Sequence, residues 1–144
     1  MSVMTRGVDA YRRAEAQSAS PLQLVVMLYD GALRFLTEAK AAQASGDMPR
    51  RAHALRRVAA IIAECHGTLD LEQGGAVAAE LDRLYSYLSE RLLDVNVKKD
   101  LTAIDEMHRL LTPVRNAFAE AATQSVMAAA VPPSPPADVS VAGR

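Results

Sequence analysis

The sequence predicts an all-α protein: an antiparallel up-and-down four-helix bundle, with an N-terminal segment packing on it and a disordered Pro-rich C-terminal tail. Three observations carry that prediction. Of the 144 residues, 50% are hydrophobic yet only 4% are aromatic, and an apolar content built from Ala, Leu and Val favours helices over strands. Apolar residues recur at helical period in four blocks. Ser, Gly, Asp and Pro then punctuate those blocks at the spacing of helix caps and short connections. A chain of this length fits one domain that buries roughly two thirds of its unfolded surface.

The polar segment 1–19 precedes the first block. Ser20-Pro21-Leu22-Gln23 then sets Ser at the N-cap, Pro at the first helical position and Gln at the third, a capping box that starts a helix over 20–45. Ser45-Gly46-Asp47 ends it, and Asp47 caps a second helix over 48–70, with Leu55, Val58, Ile61, Ile62, Cys65 and Leu69 on one side. After Gly74-Gly75, a third helix over 76–97 carries Val77, Leu81, Leu84, Leu88, Leu92 and Val95 within an arc of roughly 80°. Asp100 caps a fourth helix over 100–123, with the stripe Ile104, Met107, Leu111, Val114, Phe118 and Ala121. Pro113 falls inside it and removes an N–H, so a kink is expected, but the stripe keeps its phase and predicts one helix. Asn96 is expected to take a left-handed turn before Asp100. Residues 124–144, rich in Ala and Pro, read as disordered.

Composition also excludes classes of function. With 16 Lys and Arg against 17 Asp and Glu the net charge is -1, which lacks the positive field that nucleic acids and anionic membranes require. Arg50, Arg51, Arg56 and Arg57 make the second helix basic, but they spread around it, so they read as solvated charges attracted to the acidic third helix. A single cysteine forms no internal disulfide and points to a reducing compartment. The first 19 residues carry scattered charges and no apolar core, so they form no signal peptide, and prolines break the uncharged stretch near the C-terminus, so it forms no membrane span. The sequence contains no Glu-x-x-His motif for a di-metal site, and Cys65-His66 are adjacent and so badly placed as nucleophile and base. No catalytic residue, metal or cofactor is expected.

The first helix is unusual in the width of its apolar face, which fills about 200° of the helical wheel where a bundle helix needs somewhat over 100°. Two readings explain this. Either the helix is central and touches neighbours on both sides, or one side, with Leu22, Val26, Tyr29 and Leu33, forms a groove for an apolar peptide or for the N-terminal segment. Candidate partner contacts are accordingly Leu22, Val25, Val26, Met27, Tyr29 and Leu33, with Tyr11 as an anchor on the N-terminal segment. Tyr87 and Leu93 point away from the main stripe of the third helix and extend the set. Tyr85 reads as a core-edge residue with a wet hydroxyl. Gly31 inside the first helix suggests a close approach by another backbone.

Tyr11, Ser20-Pro21, Leu24 and Met27-Leu28-Tyr29-Asp30-Gly31-Ala32 resemble the opening of the FliS family of flagellin export chaperones. The resemblance continues through Thr68-Leu69-Asp70, Gly74-Gly75, Leu84-Tyr85-Ser86-Tyr87, Arg91-Leu92, Asn96, Asp100, Leu110-Leu111 and Arg115-Asn116-Ala117-Phe118, covering about residues 10–122. Val95, Phe118, Cys65 and Pro113 depart from the family pattern. The resemblance implies a cytoplasmic, non-enzymatic bundle that binds the disordered C-terminal segment of flagellin and prevents its premature polymerisation. It also implies delivery of that cargo to the flagellar type III export gate, whose component FlhA is the second expected partner. A client that folds on binding needs a contact area on the order of 1,000–3,000 Å². Two alternatives share the same periodicity: a chaperone or regulator of this fold with another secreted client, and a structural bundle that self-associates, as a weak homodimer, through the surplus face.

Overall fold

Ser20 starts the first helix as its spacing with Gln23 requires: the Gln23 N–H donates to Ser20 Oγ at 3.2 Å and the Ser20 N–H donates to Gln23 Oε1 at 2.8 Å. The computed structural model describes residues 20–130, and in them four helices follow one another: α1 (Pro21–Ser45), α2 (Met48–Gly67), α3 (Gly75–Lys98) and α4 (Thr102–Ala130). The expectations for segment 1–19, including Tyr11 and the covering role, lie outside the described residues, as does most of the tail. Helix α4 itself continues past the expected end at 123 to Ala130.

Local chemistry sets the ends. Gly46 closes α1 in the left-handed conformation, at φ 75°, where a Cβ is disfavoured. Asp47 then caps α2 by accepting the Arg50 N–H at 3.2 Å. Helix α3 has no side-chain cap and begins at Gly75, with φ 56°. Lys99, not Asn96, takes the left-handed position after α3, because α3 runs on to Lys98 and Asn96 remains helical within it. Asp100 accepts the N–H of Thr102 at 3.1 Å and its hydroxyl at 2.6 Å, so it fixes the start of α4 as expected. Helix α4 passes through Pro113 without a break. The neighbouring Thr112 hydroxyl donates to the His108 carbonyl at 2.7 Å, a bond that accompanies bent helices.

Cross-helix pairs give the topology. Along α1 and α4, Asp30 meets Arg115 and Lys40 meets Asp105, so the two run antiparallel. Glu38 with Arg50 and Gly31 with Ile61 set α1 against α2; His66 with Asp82 and Arg51 with Val95 set α2 against α3. Arg91 and Tyr87 with Glu106 complete the ring between α3 and α4. Consecutive helices thus pack on one another and α4 packs back on α1, the arrangement of an up-and-down bundle.

The core holds Leu36 and Ala39 of α1, Leu55, Val58 and Ile62 of α2, Leu88, Leu92 and Val95 of α3, and Ile104, Met107 and Leu111 of α4. The stripes expected for α2 and α4 face it. The stripe of α3 does so only in part: Val77 is 68% exposed, and Leu81 and Leu84 are half-buried. Leu81 and Leu84 still pack on the edge of the core, but the first turn of α3, with Val77, stands over an open hollow. Gly31 admits Ile61 Cδ1, which a Cβ there would meet at 3.3 Å, so the close neighbour is a side chain and not a backbone. None of the arginines of α2 pairs with an acid of α3: Arg50 pairs with Glu38 of α1, Arg57 lies over Phe35, and Arg51 is buried and donates to the Val95 carbonyl at 2.9 Å.

Candidate functional site

The first turns of α1 present apolar side chains on two sides, and the structure treats the sides differently. Asp30 is held by Arg115, whose Nε and second guanidinium nitrogen donate to its two oxygens at 2.6 and 3.2 Å. Val26 and Leu33 share the face of Asp30 through helical spacing, so that face is turned to α4, and Leu33 packs on the core. Among the described residues the other side is open. Pro21, Leu24, Val25, Met27 and Leu28, with Glu64 and Thr68 at the end of α2, line a hollow of about 740 Å³. Leu24 is 40% exposed there.

A second hollow, of about 260 Å³, adjoins the first and shares Val25, Leu28 and Thr68 with it. Its lining also includes Cys65, Leu69, Val77, Leu81, Tyr85 and Phe118, so all four helices contribute. Together the two hollows form one apolar groove, crossing from the outer side of α1 to the underside of α3. Its width comes from the poor closure of α3, and its apolar character from the surplus of α1.

The polar floor of the groove is closed off from solvent. Tyr29 and Tyr85 are 1% and 2% exposed, their hydroxyls lie 2.6 Å apart, and their rings meet edge to face with centroids at 6.4 Å. The candidate contact Tyr29 is thus a core residue with its hydroxyl already paired, and the Tyr85 hydroxyl, expected to be wet, is not. The cause is shared, because α1 and α3 face each other diagonally across the bundle and each hydroxyl satisfies the other. Burial pushes both phenols above their ordinary pKa, the mutual hydrogen bond adding to this for Tyr29. Burial, with the Glu64 carboxylate nearby, also pushes the Cys65 thiol up to about 11, which keeps it protonated while it stays buried.

Of the other candidates, Val25 and Met27 line the groove, while Leu22, Val26 and Leu33 are half-buried and line neither hollow. Tyr87 is 40% exposed, with its hydroxyl donating to Glu106 at 2.8 Å, and Leu93 is 62% exposed. Neither lines the groove. The rest of the lining, with Leu24 and Leu28 of α1, Leu69 after α2, Val77 and Leu81 of α3 and Phe118 of α4 among it, is not among the candidate contacts. Leu24 and Leu28 lie in the wide apolar arc of α1, but the arc gives a width and no direction.

At the opposite end of the bundle Arg91 organises a cluster of charges. It donates to Glu106 at 2.6 Å, to Asp94 at 2.7 Å and to Asp100 at 3.3 Å, joining α3 to α4 across their connection. The hydrogen bonds from Tyr87 and Arg91 hold the Glu106 carboxyl below its ordinary range, and those from Thr102 and Arg91 do the same for Asp100. Among the described residues no cluster of three His, Cys, Asp or Glu side chains is placed to hold a metal ion, and no helix is long and apolar enough to cross a membrane.

A helical bundle with an apolar groove over its first helix belongs to a class of scaffold whose exposed apolar surface a peptide segment can cover. The comparisons with known proteins give that class a family. Residues 4–125 match the model of the family described as flagellar protein FliS, and the chain belongs to that family, one of chaperones and not of enzymes. The chain is 37% identical over 117 residues to the flagellar secretion chaperone FliS of Salmonella typhimurium, covering 78% of this chain and 87% of that protein. It is 32% identical over 118 residues to the flagellar secretion chaperone FliSB of Pseudomonas aeruginosa, covering 82% and 94% respectively. To the FliS of Campylobacter jejuni it is 35% identical over 112 residues, covering 78% and 88%.

Proposed function

We propose that this chain is a flagellar export chaperone that binds the disordered C-terminal segment of flagellin in the cytoplasm, keeps it from polymerising and delivers it to the export gate through FlhA. The observation that carries this reading is the groove of Leu24, Val25, Met27 and Leu28 on α1, apolar and open in a member of the FliS family. Apolar side chains of the client at helical spacing enter it, and main-chain polar groups of the client satisfy one another by folding as they bind. Ordering such a segment costs roughly 2–5 kcal/mol or more, which only a long contact offsets. Tyr87 and Leu93 give a wrapping segment further apolar contacts beyond the groove.

Calorimetric titration with a peptide from the C-terminal end of flagellin from the same organism is expected to give a 1:1 complex, a negative heat-capacity change and added helical signal. Leu24→Asp is the sharp variant. It places a carboxylate in the first turns of α1, where the helix dipole favours it, so stability is expected to stay within about 0.5 kcal/mol. Affinity is expected to fall at least about tenfold, since a charge then faces the apolar client. No binding of the wild-type chain at tens of micromolar (roughly the −6 kcal/mol level) removes flagellin as the client. A homodimer in sedimentation that Leu24→Asp dissociates, with no peptide bound, makes self-association the use of this face.

A further inference from the structure

We propose that the N-terminal half of α3, from Gly75 to Leu84, is a clasp that swings away from α2 to widen the groove, and that the His66–Asp82 pair is its latch. The two halves of α3 are held very differently. The C-terminal half buries Tyr85, Leu88, Leu92 and Val95. Arg91 ties it to Glu106 of α4, and Arg51 of α2 donates to its Val95 carbonyl. The N-terminal half buries only Ala78; Leu81 and Leu84 rest half-buried against the edge of the core, and Val77 stands 68% exposed.

One polar contact joins that half to another helix among the described residues: His66 Nε2–H donates to Asp82 Oδ1 at 2.6 Å. The other ion pair there, Arg83 with Glu80, lies within α3 and restrains nothing across the groove. The helix also begins without a side-chain cap, at a glycine with φ 56°, so its first turn has little to anchor it. Beneath it lies the hollow of about 260 Å³, which Val77, Ala78, Leu81 and Tyr85 of α3 line on one side and Val25 and Leu28 on the other. A segment with few buried contacts and one exposed tie opens at a low free-energy cost, and here opening enlarges the apolar surface that α1 and α2 present. The inference concerns the free chain and stands whichever client the groove takes.

Cys65 provides a native reporter. It is 5% exposed and lines the hollow under α3, so its alkylation speeds up as the clasp opens. Alkylation of the full chain by N-ethylmaleimide is to be timed alongside hydrogen exchange. In the wild type the amides of residues 78–84 are expected to exchange at least about tenfold faster than those of 88–95. Asp82→Ala is expected to raise the alkylation rate roughly two- to fivefold, the range for losing one partly exposed pair, and to speed exchange in 78–84 alone. Asp82→Asn, which keeps an acceptor, is expected to fall between. Glu80→Ala, which breaks only the pair inside α3, is expected to leave both readouts unchanged. An unchanged alkylation rate in Asp82→Ala overturns the proposal, as does an equal rise of exchange in 88–95 or an effect of Glu80→Ala as large as that of Asp82→Ala.

Discussion

The buried pair of tyrosines under the groove makes a prediction in which two single substitutions cost more together than both made at once. Tyr29 Oη has one hydrogen-bond partner, the Tyr85 hydroxyl at 2.6 Å, whereas the Tyr85 hydroxyl also interacts with the Cys65 thiol. Tyr85→Phe therefore strands a buried hydroxyl on Tyr29, and a stranded polar group costs about 1–3 kcal/mol. Tyr29→Phe leaves Tyr85 with the weaker thiol contact, so its cost is nearer 1 kcal/mol. The double variant strands nothing and keeps both rings, including the edge contact of Tyr29 with Phe118 at 5.6 Å.

Its loss is expected to be about 1 kcal/mol or less, well short of the sum of the singles, with a coupling of about 1.5–2 kcal/mol. Urea unfolding followed by far-ultraviolet circular dichroism measures all four corners of the cycle, provided the slope with denaturant stays constant. Additive losses would refute the pairing of the hydroxyls and with it the closed floor of the groove. The same variants separate core from contact: Tyr29→Phe is expected to leave affinity for the flagellin peptide within about twofold, because a residue 1% exposed touches no client.

Leu33→Asp, on the α4-facing side of α1, is expected to cost about 2 kcal/mol or more of stability in the same unfolding assay, because Leu33 packs on the core; a loss of affinity without a loss of stability would return that side to the binding surface. Gly74→Ala is expected to destabilise by about 1–3 kcal/mol, since a Cβ there would sit 2.4 Å from Ala78 Cβ and 2.6 Å from the Asp70 carbonyl oxygen; thermal unfolding reads this directly. Arg51→Ala is expected to cost about 2–3 kcal/mol through the orphaned Val95 carbonyl and lost packing, against less than about 0.5 kcal/mol for the exposed Arg56→Ala. The Glu106 and Asp100 carboxyls are held below their ordinary range in the folded state, so their contribution is present above the unfolded-state values and is lost as pH falls through about 4 and below. Glu106→Gln is expected to flatten the decline of stability in an acid titration, and an unchanged acid slope contradicts the role given to the Arg91 cluster.

What the sequence made legible follows from which interactions are local. The start of α1, the cap of α2 at Asp47 and the break at Gly46 are decided within a few residues, and the side chains expected to act there do so. The stripes of α2 and α4 are likewise set by spacing. The pairing of Tyr29 with Tyr85 is not legible in sequence, because a helical wheel counts a tyrosine as apolar area and says nothing of its hydroxyl. Its partner lies 56 positions away, on the diagonal helix. Arg51 looked solvated because three other arginines surround it in sequence, and only the end of α3 shows where it goes. The surplus of α1 was visible as a width. Its open direction depends on Asp30 meeting Arg115, a contact 85 residues apart that turns one apolar side toward α4 and leaves the other facing out.

The bundle is fastened unevenly, and the unevenness bears on binding. At one end Arg91 gathers Asp94, Asp100 and Glu106, Arg51 caps α3, and Asp100 fixes the next helix. At the other, α3 begins without a cap, Val77 is exposed, and the hollows lie side by side. Charges and hydrogen bonds satisfied within the protein are not free to compete for a client, and they fix the end of the bundle opposite the groove. The apolar end gains from contact with any segment that covers it, at about 25 cal/mol per Å² of apolar surface removed from water. A client that must fold as it binds needs this division: a rigid frame that spends no ordering cost of its own, and an adaptable aliphatic surface lined by Leu, Val and Met that accepts a pattern of side chains. The low aromatic content follows the same logic, since flexible aliphatic side chains fit a range of client shapes that a groove of fixed rings would reject.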